Sequence, residues 1–170
     1  MYYSFEVPFY KRFSDKKFYY NSKGETVGAI QRFYQSSFQK LSTVLIDGLF
    51  LHISSEDTQG ESKVVAEHHH YTLRHKWDVH YNQKTFLLED KTKVKSHPIF
   101  HFHYNDKEYV ITKKFANKFI HIQESDSNQL AAEWKFLNFK LPRKARIEIM
   151  SQDLDIHLVM CVFLILVSIY

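Results

Sequence analysis

Short runs of alternating apolar and polar residues, broken by turn residues, dominate the chain up to about position 150. Alternation with a period of two puts successive side chains on opposite faces of a strand, so these runs predict half-buried strands. The sharpest pair is Ile99-Phe100-His101-Phe102-His103-Tyr104 and Lys107-Glu108-Tyr109-Val110-Ile111-Thr112, separated by Asn105-Asp106. Asn and Asp tolerate the positive φ angles of a two-residue primed turn, which predicts a hairpin. Tyr81-Asn82-Gln83-Lys84 predicts a second tight turn, between the strands at 77–80 and 85–88. Residues 21–25 read as a longer hairpin loop in which Gly24 supplies the left-handed residue. Such runs number roughly a dozen, at the spacing of a sandwich or barrel.

A weak internal repeat runs through this pattern. Residues 26–46 overlay residues 129–149 without a gap, pairing Val27 with Leu130, Ala29 with Ala132, Phe33 with Phe136 and Ile46 with Ile149. A looser third copy starts at Val64 and runs to Trp77 and Tyr81. Each copy is expected to be a pair of strands joined by a polar or aromatic stretch.

The C-terminus breaks the pattern. From Leu158 to Tyr170 there is no charged residue, and Ser168 is the one small hydroxyl. A bilayer span needs about 20 apolar residues, and Asp153, Asp155 and His157 prevent this run from being extended upstream. A short segment that is apolar all round is expected to be a helix buried in the protein, over roughly residues 153–170, and not a stable membrane span. Ser151, Asp153 and Asp155 suit its start, where carboxylates face the positive end of the helix dipole.

Geometry fixes what surrounds such a helix. Strands about 4.8 Å apart and tilted about 35–45° close twelve at a time into a barrel about 23 Å across. Inward side chains leave a lumen of about 12 Å, the width of one helix. The expected fold is therefore mostly β: a closed antiparallel barrel of about twelve strands, over residues 2–150, around a buried apolar C-terminal helix. All of residues 1–170 form one domain in this reading.

Composition adds bounds. Aromatic residues reach 16 %, a bias towards sheet, while four Gly and three Pro leave no room for a Gly-rich phosphate loop. Cys161 is the single cysteine, which excludes an internal disulfide and a cysteine-built zinc site. A net charge of +4 is mildly basic, and no nucleic-acid-binding motif is present. No signal-peptide pattern opens the sequence, so the expectation is a cytoplasmic, monomeric protein, peripheral to membranes if it meets them at all.

Several stretches carry a family resemblance. The Lys113-Lys114-Phe115 turn before Phe119-Ile120-His121-Ile122, the run Leu130-Ala131-Ala132-Glu133-Trp134-Lys135-Phe136, and Asp153-Leu154-Asp155 leading into the apolar tail resemble the tubby C-terminal-like superfamily. That group includes the tubby proteins, the phospholipid scramblases and the LURP-one-related proteins, and this chain is most similar to its small stand-alone members. The resemblance implies a twelve-strand barrel closed around a C-terminal helix. It also implies a non-enzymatic scaffold that recognises phospholipid head groups or a protein partner. An acidic calcium-ligand segment like that of the scramblases does not occur.

Candidate chemistry is sparse. Lys140, Arg143, Lys144 and Arg146 flank Pro142 in a predicted loop, a cluster that suits an anionic head group. Lys91, Lys93 and Lys95, and Lys113, Lys114 and Lys118, are lesser clusters of the same kind. His101 and His103 share one strand face, as do His68 and His70, but two imidazoles without a third ligand do not make a metal site. No cofactor is expected. Ser36, Ser37, Ser42 and Ser54 lie in no nucleophile context, and Asp153 and Asp155 are accounted for by the helix start, so no catalytic residue is assigned. Two other readings follow from the tail and the strands: a C-terminal membrane anchor carrying a cytoplasmic β domain, and a small-molecule carrier barrel.

Overall fold

The computed structural model describes residues 2–7, 15–45, 50–69, 72, 74–113, 118–138 and 143–170. Twelve strands close into one antiparallel barrel in which each strand pairs with its sequence neighbours and the first pairs with the last. They are β1 (Tyr2–Val7), β2 (Lys17–Asn21), β3 (Thr26–Phe33), β4 (His52–Asp57), β5 (Ser62–His68) and β6 (Lys76–Tyr81). The second half comprises β7 (Lys84–Asp90), β8 (Ile99–Tyr104), β9 (Lys107–Lys113), β10 (Phe119–Glu124), β11 (Leu130–Phe136) and β12 (Arg143–Ile149). Helix α1 (Ser37–Leu45) lies between β3 and β4, and α2 (Ile156–Ile169) follows β12. Full closure leaves no unpaired edge among the described strands.

The tight turns are where the sequence places them. Asn82 and Gln83 have φ of 47° and 60°, Asn105 and Asp106 have 50° and 59°, and Gly24 has 81°. These turns, with those after β4 and β10, all leave one end of the barrel, here the hairpin end. Connections β1–β2, β3–β4, β5–β6, β7–β8, β9–β10 and β11–β12 leave the other, the loop end.

Helix α2 enters at the hairpin end and fills the lumen. Every residue from Leu158 to Leu166 is buried, within one cluster that also holds Ile30, Ile53, Trp77, Leu88, Ile111, Ile122, Trp134 and Ile147 from around the wall. Phe163 meets the Trp134 ring edge-on at 5.0 Å. The N-cap is Asp155, whose Oδ1 accepts from Leu158 N–H at 2.9 Å. The helix thus starts at Ile156, slightly later than expected, and Asp153 lies outside it, its carboxylate taking Lys107 Nζ at 2.9 Å. At the loop end Tyr170 donates its hydroxyl to Asp90 Oδ2 at 2.7 Å and sets its ring against Phe100. No described helix is long and apolar enough to cross a membrane. The helix occupies the space that a carrier barrel would keep for its ligand.

The expected strand pair in residues 26–46 does not form. After β3 the chain turns into α1, so Val44 and Leu45 are helical where the overlaid second copy has β12, and Ile46 lies outside the described residues. The third copy does match a strand pair, β5 with β6.

A small polar cluster sits beside these apolar side chains. His157 Nδ1 lies 2.5 Å from the Tyr19 hydroxyl, which is itself 2.9 Å from Ser55 Oγ. Burial pushes the His157 pKa below its ordinary value, opposed by the nearby carboxylates Asp155 and Asp57, with Lys63 acting in the same direction as burial. The unfolded chain therefore binds more protons than the folded one between the lowered folded pKa and about 6.5. His157 contributes its stability fully above that upper limit and loses it as pH falls towards the folded value. Chemical denaturation at pH 7.5 and pH 5.5 is expected to show a larger loss of stability for the wild type than for His157→Asn, whose amide oxygen takes the Nδ1 position. Equal losses in the two proteins would contradict this.

Candidate anion-binding surface

The cations of this protein divide into those with carboxylate partners and those without. Glu89 takes both Lys76 and Lys91 at 2.6 Å, which together hold its carboxyl down to about 2, the Lys76 bond first. Lys63 bridges Asp57 and Glu61 at 3.0 Å each, Lys107 is held by Asp153, and Lys16 by Glu56. An exposed pair of this kind adds little stability, but it neutralises the charge.

Strands β11 and β12 carry cations of the other kind. In β12 the alternation is regular: Ala145 and Ile147 are buried, whereas Lys144, Arg146 and Glu148 are exposed. This segment corrects the expected loop, because Arg143, Lys144 and Arg146 belong to a strand in ladder contact with both β1 and β11. The physical reason is that period of two, which places Ala145 and Ile147 against the core. Lys140 lies outside the described residues.

Register does the rest. Arg146 stands opposite Lys135 of β11, also exposed, so two cations face each other on the outer wall. Like charges directly opposite across a ladder are unfavourable. Each lies over an aromatic ring: Arg146 Cζ is 4.0 Å from the Tyr2 centroid, and Lys135 Nζ is 5.2 Å from that of Phe119. A guanidinium stacked this way keeps its N–H edge available for planar recognition of a carboxylate or phosphate. Lys144 lies one pleat nearer the loop end, opposite Glu6, and its backbone N–H donates to Asn138 Oδ1 at 2.7 Å. Among the described residues, none of Lys135, Arg143, Lys144 and Arg146 has a carboxylate within 4.0 Å. Sequence reasoning missed Lys135, whose signal lies in the pairing of β11 with β12.

The wall is also sorted along the barrel axis. On the same two strands Glu133 stands opposite Glu148, towards the hairpin end, while Lys135 and Arg146 lie towards the loop end. The connections repeat this division. Among the described residues, those at the loop end carry Lys40, Arg74, Lys93, Lys95 and Lys118, with Lys16 and Lys91 held by Glu56 and Glu89, against Asp15. Those at the hairpin end carry Glu25, Glu61, Asp106, Asp126, Asp153 and Asp155 against Lys23.

The candidate histidines within the described residues have local partners. His101 and His103 do share the outer face of β8, and both turn to Glu108, at 3.0 and 3.9 Å. That carboxyl is held below its usual range, by His101 first, with Ser125 and His103 among the further causes. His68 is buried and lies 3.0 Å from His75, both rings stacking on Trp77, while His70 lies outside the described residues. No described group of three or more His, Cys, Asp or Glu residues is arranged to hold a metal ion.

No curated protein and no solved structure matches the chain. The family model of the Tubby C-terminal like domain matches residues 3–170, and with its twelve-strand barrel closed on a C-terminal helix the chain belongs to that family.

Proposed function

We propose that this domain is a non-enzymatic binding module that recognises anionic phospholipid head groups through Lys135, Arg143, Lys144 and Arg146. The carrying observation is the register pair Lys135 and Arg146, two cations opposite each other with no carboxylate within 4.0 Å among the described residues. Arg146 leans onto Tyr2 of β1 and Lys135 onto Phe119 of β10, so the two present separate contact points for anions along one wall. The axial sorting of charge adds an orientation, since a negatively charged surface attracts the loop end and repels the hairpin end. Membership of the tubby C-terminal-like family supports a binding role over a catalytic one.

Co-sedimentation with vesicles of phosphatidylcholine and phosphatidylserine tests this. A cation near an anionic leaflet contributes about 1 kcal/mol, so replacing all four by Gln is expected to weaken binding by about a hundredfold or more. Binding by the wild type falls as salt rises. Lys23→Gln, at the hairpin end, serves as the control and leaves binding unchanged. Equal binding by the wild type and the fourfold variant contradicts the proposal.

A further inference from the structure

Among the described side chains of helix α1, the large apolar ones point outward. Gln39 and Thr43, one helical turn apart, are 9 % and 1 % exposed, and Thr43 Oγ1 donates to the Gln39 carbonyl at 2.9 Å. Gln39 Oε1 also accepts from Gln35 N–H at 2.8 Å, and Ser36 Oγ accepts from Gln39 N–H at 3.2 Å, fixing the first turn. Phe38 and Leu41 are instead 72 % and 65 % exposed, with exposed Lys40 between them. A surface helix ordinarily turns its apolar stripe to the core, so the described side chains of this one reverse the usual arrangement.

Two more residues share the feature. Phe38, Leu41, Val94 and Leu137 are the four most exposed large hydrophobic side chains among the described residues, Val94 at 58 % and Leu137 at 52 %. All four lie in connections at the loop end. Val94 stands between Lys93 and Lys95, and Leu137 N–H donates to the carbonyl of Lys144 at 2.8 Å. Apolar side chains interleaved with lysines are what an anionic bilayer interface accepts: the cations meet head groups and the apolar groups reach the acyl boundary. A water-soluble protein partner would match the apolar groups, but the surplus of cations specifies an anionic surface.

We infer that the loop end of the barrel enters an anionic bilayer, with Phe38 and Leu41 of α1 as the leading inserted side chains. This deepens the head-group reading and rests on it: charge recruits the domain, and α1 then partitions. Binding is consequently only partly reversed by salt.

The test uses the full chain and the same vesicles. Phe38→Ser with Leu41→Ser is expected to weaken partitioning by at least about tenfold, equivalent to about 1.4 kcal/mol, leaving a weaker and fully salt-sensitive association. Both sites are exposed, so the melting temperature should hold. Phe38→Trp provides a direct readout, because the native Trp77 and Trp134 are fully buried. Its emission should shift to the blue on vesicles and be quenched by brominated lipid. Unchanged partitioning of the double variant, with no shift in the tryptophan variant, overturns insertion while salt-sensitive wild-type binding keeps the charge reading. Absence of wild-type binding overturns both. A dimer that the double variant converts to monomer assigns α1 to self-association and overturns the inference.

Discussion

Leu164→Asp is expected to cost the domain at least about 3 kcal/mol of stability, and to abolish its cooperative fold if that stability is at the low end of the usual range. Leu164 is 1 % exposed at the inner part of α2, in a cluster of buried hydrophobic side chains contributed from around the barrel. Removing a buried leucine side chain costs about 2–5 kcal/mol. A buried carboxyl without a partner adds roughly 1–3 kcal/mol even when it protonates. Domain stability is typically about 5–15 kcal/mol, so the two costs, together about 3–8 kcal/mol, remove a large share of it, and all of it from a domain at the low end of that range. The measurement is near-UV circular dichroism with a thermal melt. A sharp transition within a few degrees of the wild type would contradict the position assigned to α2.

Among single substitutions, Gly28→Val is expected to have the next largest effect. Gly28 points inward from β3, with Tyr19 and Asp57 as its register partners. A Cβ there would overlap the Tyr19 phenol and the Glu56 carbonyl. Neither can withdraw, since the Tyr19 hydroxyl is held by Ser55 and His157 and the carbonyl belongs to the backbone of β4. Overpacking of this kind costs about 3 kcal/mol or more, at the upper end of its usual range. For a chain of this length that lowers the melting temperature by roughly 6–12 °C. Gly24→Val meets no atom within 4 Å, so any loss there comes from its φ of +81° alone and should be smaller. Equal losses at the two sites would contradict this account of Gly28.

Much of the architecture was legible because its signals are local. Asn82-Gln83 and Asn105-Asp106 carry the positive φ angles that their residue types announce, and alternation locates most strands. The tail was legible from length and charge alone. Helix α1 was not: its nine residues turn Phe38 and Leu41 outward and Gln39 and Thr43 inward, so its pattern runs against the rule that apolar residues mark the core. The basic segment was half legible. Its cations stand out, but Pro142 and their density read as a loop, while Ala145 and Ile147 on alternate positions carried the strand signal. Lys135 could not be joined to Arg146 before the strand pairing was known, because register is a tertiary fact.

Both the barrel and the orientation of its two ends depend on α2 being core. A chain truncated after Ser151 measures this most directly, by circular dichroism and thermal melting without detergent. The helix contributes Leu158 through Leu166 to the buried cluster, and each such side chain is worth about 1.5–3 kcal/mol. The account predicts a truncated protein with no cooperative transition and no fixed aromatic signal. A sharp melt from a soluble truncated β domain would contradict it, and would make the tail an appendage to the barrel.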